Sequence, residues 1–573
     1  MNVSMHPNGD HAPAWSPDGK TLAFLSTRDG DEADVWQVHL DRRLDGMTPG
    51  ESATYRELLG KLDRTPPSVA AVQSAAVAAP NTQLRPLDLD DAYLRLTRVT
   101  EWRGDEGDLA LVPTGVVASQ ATEDGQRVLY HLDPKGERTE LARSASLSDV
   151  SWSGKTLLLV QHGRAAQIPS SGGKLERIGF SQQLDVDRQA ETSQKFTEAA
   201  RVLGETFYHP TLKGLDWPAL SARYHDLATR SRTAAEFSEV ANRFLGELNA
   251  SHLGIYPPTE RPDTYQPHGR LGVDVREEPA GAVVTRVLEQ GPAARAPTPL
   301  LEGDRIVAVQ GAAWTASDTL EARLRGRVGQ ETRLEVERPR ADGEPLRLTV
   351  LVTPVSWGEA RTLRYQAWTA DCRDRVHALS QGRLGYLHIR GMNLPSLMEF
   401  ERDLFAAAYG REGLVVDVRN NGGGWTADRV LGALMARPHA YTVPRGADPA
   451  FTRGYPQGRL YIQRYADPVN MLCNEKSFSN AEILSHAFRT YGRGTLVGEQ
   501  TYGGVISTGA MTLLDGTRVR LPFRGWFLLD GTDMENHGAV PQLRVPQTPE
   551  DEVAGLDRQL EVAVQDLLER LDR

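Results

Sequence analysis

Between residues 13 and 38, apolar and polar positions alternate on both sides of Trp15-Ser16-Pro-Asp18-Gly19-Lys; Thr-Leu-Ala-Phe-Leu-Ser follows, and Asp34-Val-Trp36-Gln-Val lies beyond. A period of two with Asp-Gly at the break predicts strands joined by a turn. Val150-Ser-Trp152-Ser153-Gly154-Lys155-Thr156-Leu157 is a weaker echo, 137 residues from Trp15 to Trp152. That spacing is near three units of about 45 residues, the length of a four-stranded propeller blade. Between the echoes the Ala/Pro-rich run Thr65 to Pro80 reads as a linker or insertion, near 65–82. From about Gln189 the period becomes helical, with Phe196, Ala199, Ala200 and Leu203, then Phe237, Val240, Phe244 and Leu248. A Pro-rich stretch at 257–267 precedes a strand-rich block, and after an expected linker near 355–380 the segment 384–545 alternates strand with helix. Such an α/β layer places functional groups at the C-terminal ends of its strands.

Composition narrows the function classes. At 573 residues the chain is long enough for several domains. A net charge of −11, with no Lys/Arg cluster interleaved with aromatics, argues against a nucleic-acid partner and leaves peptides or small molecules. Cys372 and Cys473 are the only cysteines, too few for a disulfide framework or a thiolate metal cage, so cytoplasmic chemistry without metal or cofactor is expected. The N-terminal residues carry no basic segment followed by an apolar one, and no run of 18 apolar residues occurs, so neither export nor a membrane partner is expected. Cys473 reads as a buried strand residue. His6, Asp10 and His11 lack the helical spacing of a zinc peptidase site.

The candidate chemistry lies near the C-terminal end. Asn474-Glu-Lys-Ser477-Phe-Ser479-Asn480-Ala-Glu482 follows an apolar strand and opens a helical pattern, so Ser479 stands at a strand-to-helix turn where the following amides can meet an oxyanion. The same position suits a serine that merely caps a helix. Asn420-Asn421-Gly422-Gly423-Gly424 also follows a strand, and glycines let backbone N–H groups approach a substrate.

Three motifs together, Asp417-Val-Arg419-Asn-Asn421-Gly-Gly-Gly424, Phe478-Ser479-Asn480-Ala481-Glu482 and Gly498-Glu-Gln-Thr-Tyr-Gly503-Gly504-Val, resemble the tail-specific (C-terminal-processing) serine peptidases and the tricorn protease family. The Trp-Ser-Pro-Asp-Gly turns are similar to TolB-like propellers. Leu271-Gly272-Val273 and Glu302-Gly303-Asp304 resemble the carboxylate-binding loop and a later strand entry of a PDZ domain. The resemblance implies a multidomain chain: partial β-propeller blades at 1–185, a small helical domain at 189–256 carrying a Ser-His pair, a PDZ-like β domain at 266–355, and an α/β peptidase core of the ClpP/crotonase-like kind at 380–573. Three or four blades are too few to close most propellers alone.

The resemblance also implies roles. Ser479 is the nucleophile. The lysine base of tail-specific peptidases would fall at Gly504, so the base is expected from the tricorn-like pair Ser251-His252, with Glu535 in Met534-Glu535-Asn536-His537-Gly538-Ala539-Val540-Pro541 and Ser251 orienting His252. Gly424 and Asn480 would supply oxyanion amides, and Gly422, Gly423, Gly424, Val505, Ile506 and Ser507 would line the substrate backbone. The implied substrates are oligopeptides, processed by a homo-oligomer. One departure concerns specificity: Thr442 stands where tricorn carries an acidic residue, which makes a preference for basic side chains doubtful. Two other readings stay open, a non-catalytic peptide-binding scaffold and a tail-specific peptidase with Lys476 as a displaced base.

Overall fold

The computed structural model describes residues 3–29, 32–61, 87–122, 126–183, 185–258, 265–341, 343–435 and 464–573. The expected linker near 65–82 and Thr442 lie outside the described residues. The chain divides into two units, Met1–Asp185 and Val186–Arg573.

In the first unit, antiparallel strands form three four-stranded sheets in chain order. They comprise Asp10–Trp15, Thr21–Ser26, Asp34–His39 and Thr97–Arg98; then Glu106–Val112, Gly115–Ala121, Arg127–Leu132 and Arg138–Arg143; then Ala145–Val150, Thr156–Gln161, Arg164–Pro169 and Glu176–Arg177. The middle sheet is covered on both faces. Val116, Ala118 and Leu132 pack with Ala23, Leu25 and Val35, while Val117 and Leu129 pack with Leu157, Leu159 and Ile168. Successive strand side chains point to opposite faces, so a doubly covered strand reads as an unbroken apolar run.

The two turn motifs have the same build. Ser16 N–H bonds the Thr21 carbonyl at 2.9 Å, and Thr21 N–H bonds Ser16 Oγ at 2.9 Å; Ser151 and Thr156 repeat both bonds at 2.8 and 2.9 Å. Ser16 therefore corresponds to Ser151, and Trp152 stands at the position of Pro17, not of Trp15. The motifs open the first and third sheets, two steps apart and not three, because the first sheet inserts a long excursion with the helix Pro49–Gly60 before its fourth strand.

The second unit begins with helices Arg188–Thr206, Trp217–Thr229 and Ala234–Gly246, each capped by an acid or threonine side chain, Asp187, Asp216 and Thr233, that accepts first-turn amides. Their apolar stripes bring Phe196, Leu203, Phe237, Phe244 and Leu248 into one core. That core also takes Ile255, Leu513 and Val519 from a three-stranded sheet ordered Gly254–Tyr256, Arg518–Gly525, Ile506–Thr512. A second sheet runs Val273–Glu278, Gly281–Val287, Arg305–Val309, Thr332–Arg338, Leu346–Val352, with Leu271, Val284, Ile306, Leu334 and Val350 inside.

The expected linker near 355–380 is instead the helix Trp357–Leu379, started by a capping box between Ser356 and Glu359. Few of its residues, among them Ala360, Cys372 and Val376, are buried, so the apolar pattern gives no helical stripe there. Five parallel strands then form the last sheet, in the order Leu384–His388, Gly413–Asp417, Val469–Cys473, Leu496–Gly498 and Leu543–Arg544. Phe400, Leu404, Val430, Leu484 and Phe488 cover one face, and Val376, Leu560, Val564 and Leu567 the other. Burial on both faces explains why these strands are mostly apolar, with Asn470 and Asp417 buried as hydrogen-bonded exceptions. Among the described residues no helix is long and apolar enough to cross a membrane.

Candidate active site

Ser479 leaves the central strand Val469–Cys473 and begins the helix Asn480–Thr490 with φ 57° and ψ −119°. Positive φ is costly for a residue with a Cβ and persists only where the surroundings enforce it. Here Glu482, wholly buried, is the enforcing group. Its carboxylate accepts from Ser479 N–H at 2.8 Å, Thr501 Oγ1 at 2.6 Å, Gly503 N–H at 2.6 Å and Gly504 N–H at 2.9 Å. Burial raises its pKa, and the four donors oppose that rise. One carboxylate thus fastens the Ser479 turn to the Gly498–Gly504 run. Glu482 is a functional residue missed from the sequence, where the Ser-x-x-Glu spacing from Ser479 was the available signal.

His252 follows the last helix of the helical layer, also at positive φ, 58°. The antiparallel pairing of Gly254–Tyr256 with Arg518–Arg520 fastens it to the three-stranded sheet, and its Nε2 lies 3.2 Å from Ser479 Oγ. Ser251 Oγ stands 2.7 Å from His252 Nδ1 and donates to Glu535 Oε2 at 3.0 Å. Glu535, 2 % exposed, also accepts from the N–H groups of Ser251 and of Val505, the latter at 2.8 Å. The proton positions follow from this chain. A serine hydroxyl has one proton, which goes to the carboxylate, so Ser251 Oγ accepts from Nδ1–H and the Nε2 lone pair faces Ser479. Phe478 stacks on the imidazole, with ring centroids 4.6 Å apart and planes 19° apart, a contact the sequence did not reveal. Burial foremost, and then the Arg520 charge, hold the His252 pKa down to about 4.

The glycine run lies against the same turn. Asn421 Nδ2 donates to the Ile389 carbonyl at 2.8 Å, its Oδ1 accepts from Gly423 N–H at 2.9 Å, and its carbonyl accepts from Phe478 N–H at 2.9 Å. Gly423 has φ 84°, and a Cβ there would be 2.6 Å from both Ser479 Cβ and the Phe478 oxygen; at Gly424, φ 148°, one would be 1.9 Å from the Met392 oxygen. Only glycine fits either position. Met392 and Gly424 form a parallel bridge that uses the Gly423 carbonyl and Trp425 N–H. Gly424 N–H is thereby left unbonded within the described residues, as is that of Asn480, whose side-chain Oδ1 accepts from Ala427 N–H at 2.8 Å. Upstream, Arg419 forks onto Asp417 and Asp557 in a buried network that pins the approach to this run.

Ser479, His252, Ser251, Glu535, Gly423 and Asn480 are therefore gathered at one place, with exposed Gly422 and Gly424 at the end of the same turn. Val505 precedes, and Ile506 and Ser507 begin, an edge strand of the three-stranded sheet. Leu271, Gly272 and Val273 belong elsewhere, at the start of the edge strand of the second sheet. There the carbonyls of Leu271 and Gly272 accept from Ala293 and Leu288, and Leu320, Leu324 and Trp357 line an adjoining cleft. None of the hydrogen bonds around Ser479 reaches these three. Lys476 is exposed. At Gly504 a Cβ would stand 2.2 Å from the Phe478 ring, so the imidazole-stacking phenylalanine leaves no room there for a lysine.

Three family models match the chain: the tricorn protease C1 domain over residues 188–246, a PDZ domain over 269–352 and peptidase family S41 over 383–545. Among curated proteins, tricorn protease homolog 1 of Streptomyces coelicolor is 32% identical, the alignment covering 97% of this chain and 54% of that one. The tricorn protease of Thermoplasma acidophilum is 24% identical over 98% of this chain and 52% of its own. The chain thus spans about half the length of these relatives. A crystal structure of the tricorn protease shares the fold, with a TM-score of 0.75 at 23% identity, covering all of this chain and 56% of that one.

Proposed function

We propose that this chain, which belongs to the tricorn-like branch of the family S41 serine peptidases, hydrolyses oligopeptides through an acyl-enzyme on Ser479. The hydrogen-bonded line from Glu535 through Ser251 and His252 to Ser479 carries this reading. His252 Nε2 takes the hydroxyl proton as Ser479 attacks the peptide carbonyl, and Ser251 with Glu535 stabilises the imidazolium that forms. The unbonded amides of Gly424 and Asn480 receive the oxyanion. His252 then protonates the leaving amine, and water activated by the same imidazole releases the acyl group. Gly422–Gly424 and the strand edge from Val505 to Ser507 hold the substrate backbone, and the Leu271–Val273 loop receives a peptide terminus. A cytoplasmic homo-oligomer with propeller-like N-terminal sheets completes the proposal, with neither nucleic acid nor membrane as a partner.

Labelling with a fluorophosphonate tests it. Wild type should label, and Ser479→Ala should not; a folded wild type that never labels would refute the proposal. Because the base works only when unprotonated, kcat/KM should rise through about pH 4 and stay level to neutrality, following the depressed imidazole. A profile whose acid limb lies near 6.5, the ordinary value for histidine, would contradict that burial. Ser251→Ala and Glu535→Gln act through His252, so each should lower kcat by roughly 10- to 1,000-fold with KM little changed. Steady-state kinetics on one peptide would check this, together with an acid limb shifted further down, because the imidazolium loses the acceptor chain that stabilises it.

A further inference from the structure

The sheet that delivers His252 has two unlike faces. Ile255, Val519, Met511 and Leu521 pack into the helical core, whereas Gly254, Arg520 and Ala510 stand opposite one another in register on the other face. A glycine and an alanine flank the Arg520 guanidinium, and neither side chain offers it a polar atom. Arg520 is half-buried, and among the described residues it has no hydrogen bond or ion pair. Three arginines of this unit show the contrast: Arg338 forks onto Asp304, Arg419 onto Asp417 and Asp557, and Arg383 onto Glu412. Arg518, whose guanidinium likewise has no partner among the described residues, lies two residues earlier on the same face, opposite Tyr256. The Tyr256 ring folds over Gly254, where a Cβ would meet its hydroxyl at 2.4 Å, and remains half exposed beside Arg520.

This cation is close enough to His252 to disfavour its protonated form. That is an awkward neighbour for a base that must become an imidazolium as the tetrahedral intermediate forms. The opposition disappears if an anion covers the guanidinium during turnover. No described side chain does so, and a bound peptide can supply the anion.

We infer that Arg520 receives an acidic side chain of the bound peptide, making this a peptidase selective for Asp or Glu near the scissile bond. The inference rests on the function proposed above. A charge-assisted pair with a half-buried guanidinium both fixes the peptide and relieves the repulsion on His252, so the preference should appear on the order of tenfold.

Peptides of one parent sequence, with a single Glu, Gln or Lys walked through every position and each made with a free or amidated C-terminus, test it on the full-length chain. Wild type should show a Glu-over-Gln ratio in kcat/KM on the order of tenfold at one position, whichever terminus is present. The ratio should fall to about one in Arg520→Gln, hold in Arg520→Lys, and give way to a preference for Lys in Arg520→Glu. A ratio unchanged in Arg520→Gln would overturn the inference, and so would a preference that follows the free C-terminus. If neutral and acidic peptides are both left intact by the wild type, the reading of the site itself fails; if both are cut without discrimination, only the role of Arg520 fails.

Discussion

Replacing His252 with alanine should reduce kcat/KM by at least about 10,000-fold, and Ser479→Ala by as much, while the double variant loses little more than either single one. The reason is geometric. With Nε2 3.2 Å from Ser479 Oγ and Nδ1 held by Ser251, the proposed mechanism has the pair move one proton, so removing either end removes the same step. What activity survives would come from oxyanion stabilisation and binding alone. Lys476→Ala is the contrast, since that exposed side chain should be dispensable. Peptide hydrolysis by the four variants, with fluorophosphonate labelling alongside, checks this. A strongly impaired Lys476→Ala with an active His252→Ala would transfer the proposal to a lysine mechanism.

Glu482→Ala should be the most damaging substitution outside that pair. Four donors converge on its carboxylate, which is fully buried, and among the described residues none of them bonds another acceptor. Stranding them should cost on the order of 3–5 kcal/mol, release Ser479 from its positive-φ conformation and disconnect the Gly503-Gly504 segment that leads to Val505. The expected readout is twofold. Labelling of Ser479 should be lost at temperatures where the wild type still labels, and the urea midpoint of the peptidase part should fall. Glu482→Gln, which keeps one carbonyl acceptor, should lie between the two. A variant with wild-type labelling and midpoint would mean that the turn is held by its neighbours alone.

The fold and the site were legible in the sequence to different degrees. The parallel strands could be read because burial on both faces forces Leu, Val and Met at successive positions, as in Val469-Asn-Met-Leu-Cys473. The helix Trp357–Leu379 could not, because it packs with few apolar residues and its capping box is a two-residue signal. The register of the turn motifs was misjudged by aligning tryptophans, whereas the conserved physics was the Ser hydroxyl bonding the Thr amide across the turn. Ser479, the glycine run and the exclusion of a lysine at Gly504 were local in sequence, since a turn needing positive φ and free amides can be built from a few consecutive residues.

Other features needed the tertiary structure. Residues 251 and 252 reach 479 and 535 because the short strand Gly254–Tyr256 pairs with Arg518–Arg520 and fastens the end of the helical layer to the three-stranded sheet. The tautomer of His252, the stacking of Phe478 on it, the burial that lowers its pKa, and the solitary charge of Arg520 beside it are consequences of that pairing. By itself the sequence determined which residue types were present and which backbone turns could form, because those depend on neighbours along the chain. Only the tertiary structure decided which side chains share protons and charges, because hydrogen bonds and electrostatic fields depend on separation in space.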